Sequence, residues 1–257
     1  MTGAAVLCAE AAVRGGAGLV TLGVPACIHP WIASRALCWM TLPLPDTPEG
    51  TVSAEAAGPV LRFLARCEAF AVGPGLGLDP GTGAFVREVV EKAPVPAVVD
   101  ADGLNHLAGH LDVLRRAAAP RVLTPHPGEF ARLWGVSRRE VEGERKGAAK
   151  ALAEKTGAVV LLKGRHTVVC DGRRVFVNDT GNPGMASGGT GDVLTGLIAA
   201  LLAQGLEPMA AAALGARVHG RAGDLAAART GEVSCCAADV LEALGAAFLE
   251  VGEAHGG

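Results

Sequence analysis

Residues 181–205 read GNPGMASGGTGDVLTGLIAALLAQG. Four glycines (Gly184, Gly188, Gly189, Gly191) run up to one acid, Asp192, and a long apolar stretch follows. Val193, Leu194, Leu197, Ile198, Leu201 and Leu202 recur at helical spacing, with Ala, Gly and Thr between them. That pattern predicts a mostly buried helix starting near Gly191. Glycines let successive amides turn toward one point, and a helix N-terminus adds partial positive charge, so the loop can hold an anion. It lacks the lysine of a Walker A loop. A carboxylate among such donors repels phosphate unless it has a task. One task is to take a proton from a hydroxyl that attacks a phosphoryl group. The other reading of Asp192 is a simple helix cap. The first reading makes Asp192 the base and the amides of Gly188, Gly189, Thr190 and Gly191 the anion hole.

Upstream of this loop, short apolar runs alternate with helical patterns. Strands are expected at 18–25, 68–73, 95–102, 121–127 and 158–164, and a hairpin over 166–179 turning at Asp171-Gly172. Helices are expected at 81–92, through GEFARLWG (128–135), at 138–156, and after the loop at 191–204, 208–229 and 236–252. Continuous apolar strands alternating with helices imply an α/β fold: a mainly parallel central sheet with helices on both faces, in three layers. The proline-rich PLPDTPEG (43–50) reads as a surface loop. No linker or repeat divides the 257 residues, which suit one domain.

Composition narrows the function classes. Half the residues are hydrophobic and 19% are charged, so a sizeable core is available. A net charge of -3 and the absence of tyrosine argue against a nucleic-acid partner. The seven cysteines are odd in number and form no C-x-x-C, so reduced thiols are the simple expectation, with the vicinal Cys235-Cys236 pair read as small buried residues. The N-terminus has no basic n-region, and the charge-free run from Val193 to Leu206 is too short to span a bilayer; a soluble, cytoplasmic protein without membrane partners is expected.

Ligands of open α/β sheets collect beyond the carboxyl ends of the strands. The segments there are GPGLG (73–77), DADGLN (100–105), TPHPGE (124–129) and KGRHT (163–167). GPGLG is short of a full dinucleotide fingerprint, and its turn suits close approach of a ligand to Gly77. Asp100 and Asn105 are candidate contacts to a ligand or hydrated metal, whereas Asp102 reads as a cap. His126 sits between two prolines at a fixed strand-end position, open to a structural or a substrate role. Glu129 falls in a first helical turn, where capping is the default. A buried strand that ends in lysine, as at Lys163, calls for a nearby anion; Thr167 adds a hydroxyl.

The order MTGAAVLCAEAAVRGGAGLV, GPGLG, DADGLN, LTPHPGEFARL, LLKGRHTVV and NPGMASGGTGDVLTG resembles the ADP/ATP-dependent NAD(P)H-hydrate dehydratases of the ribokinase-like superfamily, over nearly the whole chain. The resemblance implies a repair enzyme that uses ADP or ATP, with magnesium, to phosphorylate the ring hydroxyl of the S-form hydrates of NADH and NADPH (NADHX and NADPHX). Loss of phosphate then restores the cofactor. It implies hydrate contacts from Ala5, Gly77, His126 and Asp192, and nucleotide contacts from Lys163, Gly164, Arg165, His166, Thr167 and the glycine turn at Gly191. No protein-bound metal set is implied. It further implies a homo-oligomer, a tetramer, and a fused or partner epimerase. Members of the family carry a strand and a GGS-type loop before TGAA, so a missing first strand is expected here. A ribokinase-like kinase of a small alcohol or vitamin precursor, and a non-catalytic nucleotide-binding protein, are the competing readings.

Overall fold

The computed structural model describes residues 1–253. α1 (Thr2–Arg14) leads into β1 (Thr21–Pro25), α2 (His29–Ala33) and β2 (Met40–Leu44). α3 (Ala57–Leu64), β3 (Phe70–Val72), α4 (Pro80–Lys92), β4 (Ala97–Val99), α5 (Asp102–Leu107) and α6 (Asp112–Arg115) follow. Then come β5 (Arg121–Leu123), α7 (Pro127–Trp134), α8 (Arg138–Gly143), α9 (Arg145–Thr156) and β6 (Val159–Leu162). The hairpin β7 (Val168–Cys170) and β8 (Val175–Val177) precedes α10 (Thr190–Ala203), α11 (Pro208–Thr230) and α12 (Ala237–Glu253).

The main sheet has the order β3-β4-β5-β6-β7-β8; its first four strands are parallel and the last two antiparallel. Successive residues of each strand serve opposite faces. Val98, Val122, Val159 and Leu161 pack with α10, α11 and α12, while Val99, Leu123, Val160 and Leu162 pack with α4, α5, α7 and α9. Those two cores are the reason for three layers, as the apolar runs implied. The hairpin turns where expected: Asp171 Oδ1 accepts the amides of Arg173 and Arg174, and Gly172 has φ +90°.

Local corrections have physical causes. The helix expected over 138–156 is two helices, broken at Glu144 (φ -143°, ψ 59°), whose carboxylate accepts the Gly147 amide and so starts a new helix. PLPDTPEG is not all loop: Pro43 and Leu44 end β2, an edge strand where a missing N–H costs no sheet bond. The small-residue segment 2–14, not read as an element above, is α1. It crosses α10 so closely that a Cβ at Gly196 would lie 2.0 Å from the Cys8 carbonyl oxygen.

β1 and β2 form a separate parallel pair. Between β1 and β3 lies a cavity of about 670 Å³, lined by Ala5, Leu22, Val24, Phe63, Phe70 and Val72 among others.

Candidate active site

The parallel strands end on one side, and their ends are tied together. Lys163 donates its backbone N–H to the Pro125 carbonyl (2.9 Å), and Thr124 donates its N–H to that of Val99 (3.2 Å). From these ends three side chains converge. Asp100 is 1% exposed; its Oδ1 accepts from Lys163 Nζ and its Oδ2 from Thr195 Oγ1, both at 2.8 Å. Lys163 Nζ lies 3.8 Å from Glu129 Oε2. The anion that a strand-end lysine requires is thus Asp100. Burial alone would lower the Lys163 pKa, but the charges of Asp100, Glu129 and Asp192 raise it, so the ammonium stays charged.

Glu129 is the N3 residue of a capping box. Its Oε2 accepts the His126 N–H (2.8 Å), while His126 Nδ1 accepts the amides of Gly128 and Glu129 (3.0 and 3.2 Å). The capping expected of Glu129 is present, and His126 is the cap itself. Burial holds the imidazole below its ordinary pKa against the pull of Glu129. A neutral ring whose Nδ1 accepts must carry its proton on Nε2. Nε2 is 3.4 Å from Glu129 Oε1, and more than half of the side chain is exposed.

A second cluster sits one residue on. Ala101 takes φ +49°, which turns α5 so that Asp102 reaches back to the glycine turn. Asp102 Oδ2 accepts the Gly77 N–H (2.8 Å), and His106 Nε2 donates to the Gly77 carbonyl (2.9 Å). Asp102 makes no helix cap, contrary to expectation. Asn105 donates to Asp102 (3.3 Å) and accepts from Arg132. Gly77 and Ala5 line the cavity between the sheets. Among the candidate substrate residues the structure therefore forms two groups: Ala5 and Gly77 at the cleft, and Asp100, His126 and Asp192 around Lys163. Asn105 bridges toward the first.

The glycine loop is held from α11. Asp224 accepts from Asn182 Nδ2 (3.0 Å) and the Gly181 amide (3.1 Å), and His219 Nε2 donates to the Thr190 carbonyl (2.9 Å). Burial keeps His219 neutral, with a pKa of about 4. Thr190 Oγ1 donates to the carbonyls of Met185 and Ser187. Gly189 is the N-cap of α10 at φ +95°, and Gly188 is exposed. A Cβ on Gly191 would meet Lys163 Nζ at 3.1 Å, so this glycine allows the helix to start against the lysine.

Asp192 lies in the first turn of α10, where no side chain caps the helix. Its carboxylate accepts no hydrogen bond from the described residues. Burial, then the Asp100 charge, push its pKa from 3.8 to about 6, with Lys163 opposing. Burial and the same two acids push the Cys8 thiol up. A half-buried carboxylate without a hydrogen-bond donor takes up a proton more readily than a solvated one.

Residues 1–245 match the NAD(P)H-hydrate dehydratase family. The chain belongs to that family. It is 49% identical over 246 residues to the bifunctional NAD(P)H-hydrate repair enzyme of Moorella thermoacetica, covering 95% of this chain and 46% of the relative. The corresponding Salinibacter ruber enzyme is 44% identical, with 93% and 44% covered. The chain thus spans about half the length of the curated relatives it matches. Among solved structures, the Bacillus subtilis ADP/ATP-dependent NAD(P)H-hydrate dehydratase, co-crystallized with ATP/Mg2+, superposes with a TM-score of 0.79 at 28% identity. It covers 97% of this chain and 85% of its own. A ribokinase-like superfamily protein of Enterococcus faecalis (TM-score 0.78, 25% identity, 96% and 82% covered) has the same fold.

Not all of this family member's site was visible in its sequence. Thr195 counted only as an interruption of an apolar helix; its hydroxyl meets Asp100 across 95 positions. His219 and Asp224, inside a long helix, carried no motif. Among the described residues no three His, Cys, Asp or Glu side chains group to hold a metal ion. None of the seven cysteines is in a disulfide, and no helix of the described residues is long and apolar enough to cross a membrane. Cys235 is buried as expected, but Cys236 is exposed.

Proposed function

We propose that this chain is a single ribokinase-like domain, residues 1–257, that dehydrates the S-form hydrates of NADH and NADPH at the expense of ADP or ATP. The observation that carries this reading is the unpartnered Asp192, its pKa lifted to about 6, at the mouth of the glycine loop beside Lys163. In the proposal Asp192 accepts the proton of the hydrate's ring hydroxyl as that oxygen attacks the terminal phosphoryl group. The amides of Gly188, Gly189, Thr190 and Gly191 receive the charge that develops on the phosphoryl oxygens. Inorganic phosphate then leaves with the C–O bond pair. A proton lost from the adjacent ring carbon completes the dihydropyridine.

His126, with its proton on Nε2 and its exposed edge, is placed to donate to the hydrate. Ala5 and Gly77 bound the cleft that would take its apolar face, with Asp100 and Asn105 as polar neighbours. Lys163, Gly164, Arg165, His166 and Thr167 would hold the nucleotide. A magnesium ion would neutralise phosphate charge. The Glu129 carboxylate is a hard-oxygen donor that suits it, and most of the ion's ligands would come from phosphates and water, which leaves Asp192 free to act as the base.

The same reading assigns the cleft between β1 and β3 to the apolar face of the hydrate. It includes a homo-oligomer, a tetramer, supported by the exposed Leu19, Trp31 and Leu37 on the β1–β2 side. An epimerase partner is supported by the bifunctional relatives, and a cytoplasmic setting by seven free thiols.

The test is incubation with NADHX, magnesium and ADP or ATP. Recovery of NADH absorbance with release of inorganic phosphate is expected. A stable phosphorylated product without NADH would mark a kinase instead.

A further inference from the structure

Arg145 starts α9 immediately after the Glu144 break, and its guanidinium runs under the turn that follows β6. Nη2 donates to the carbonyls of Leu162 (2.8 Å) and Lys163 (3.1 Å), and Nη1 donates to that of Arg165. One planar fork thus holds three carbonyls of one turn. The turn is not relaxed without such help. Gly164 sits at φ +139°, and His166 takes φ +54°, a region side-chain-bearing residues adopt at a cost. A Cβ on Gly164 would lie 3.1 Å from Nη2, a tight contact in which the guanidinium would have to give by a few tenths of an ångström. Burial lowers the Arg145 pKa, and its Nε is buried without a hydrogen-bond partner. So the guanidinium has given up water to make these bonds.

The consequence follows from the peptide plane. In a trans peptide the N–H points opposite to the C=O. Carbonyls drawn toward α9 leave the other edge of the turn, with the His166 N–H, facing away from Arg145. The Lys163 carbonyl is pinned in the same way, and so is the root of the side chain that pairs with Asp100. An opening of about 250 Å³ lies here, lined by Arg145, Arg165, His166 and Val177 among others.

We propose that Arg145 is the positioning residue of the nucleotide half of the site: without touching the nucleotide, it holds the 163–167 turn in its binding shape. The inference rests on the nucleotide role given above to that turn. A lysine in its place carries the charge but cannot present two donor groups in one plane.

The test uses Arg145→Lys and Arg145→Ala in the full chain. Titration calorimetry with ADP measures affinity, amide hydrogen exchange reads the turn, and steady-state kinetics reads KM for the hydrate. Both variants should bind ADP at least ~10-fold more weakly, with faster exchange at 164–167 and hydrate KM within about 2-fold. Millimolar methylguanidinium should restore ADP binding to Arg145→Ala and leave Arg145→Lys unchanged. ADP affinity in Arg145→Lys equal to the parent's overturns the proposal, and so does equal weakening toward ADP and hydrate. A parent protein that binds neither ADP nor ATP overturns the nucleotide reading and this inference with it. A parent that binds alongside an unaffected variant overturns the inference alone.

Discussion

The two sides of the site are built differently. On the α10 side every element is braced: α11 holds the glycine loop through His219 and Asp224, α1 presses on Gly196, and Asp100 joins β4, Lys163 and Thr195. On the β1 side a two-stranded pair faces the main sheet across a cavity of about 670 Å³. On the proposed reading, phosphoryl chemistry depends on fixed dipoles and charges, whereas hydrate binding depends on filling a space. Preorganised groups act only where the scaffold does not move.

The largest effect should come from the braced side. Lys163→Met leaves Asp100 buried without its cation and should cost about 3–5 kcal/mol, read as a lower midpoint in urea unfolding. A midpoint near the parent's would show that the ion pair is not what holds the strand ends. Next is Gly196→Ala. Its Cβ would fall 2.0 Å from the Cys8 carbonyl, so α1 must shift, at a cost of about 1–3 kcal/mol. The melting temperature should fall and phosphoryl transfer with it, because the N-terminus of α10 moves.

The smallest effect should be a gain on the open side. A four- to six-residue apolar extension ahead of Met1 should occupy the cleft and raise stability by ~1 kcal/mol. A Gly/Pro-rich extension of equal length should not. If both extensions act alike, the cleft does not select an apolar occupant and the contrast between the two sides weakens.

How far the sequence foretold this contrast depends on how local each signal is. Runs such as 158–164 announced buried parallel strands because both faces are covered, and the 181–205 stretch announced its helix. β2 hid behind Pro43, which is tolerated only because the strand is at an edge. α1 carries its signal in small residues, which say little until α10 lies against them. Asp192 could be singled out by position, but its raised pKa depends first on burial by the folded chain and then on Asp100, 92 residues away in sequence. Thr195 was passed over and Asp102 misread for the same reason, since their partners are distant.

The central claim is that Asp192 is a base kept ready by desolvation, and one variant tests it in two directions. Burial raises its pKa from 3.8 to about 6, so the ionised carboxylate costs the fold stability at pH above about 6 and nothing below about 4. Asp192→Asn should therefore melt higher than the parent at mildly alkaline pH. The gain is ~1–2 kcal/mol after allowance for its partial exposure, and it should vanish in acid. The parent's rate of phosphoryl transfer should rise through about pH 6 and level off above it, while the variant's falls by roughly 10²–10⁴-fold. A variant that is more stable and nearly inactive is the expected result. A variant that turns over like the parent, or a rate with no step near pH 6, would place the base elsewhere.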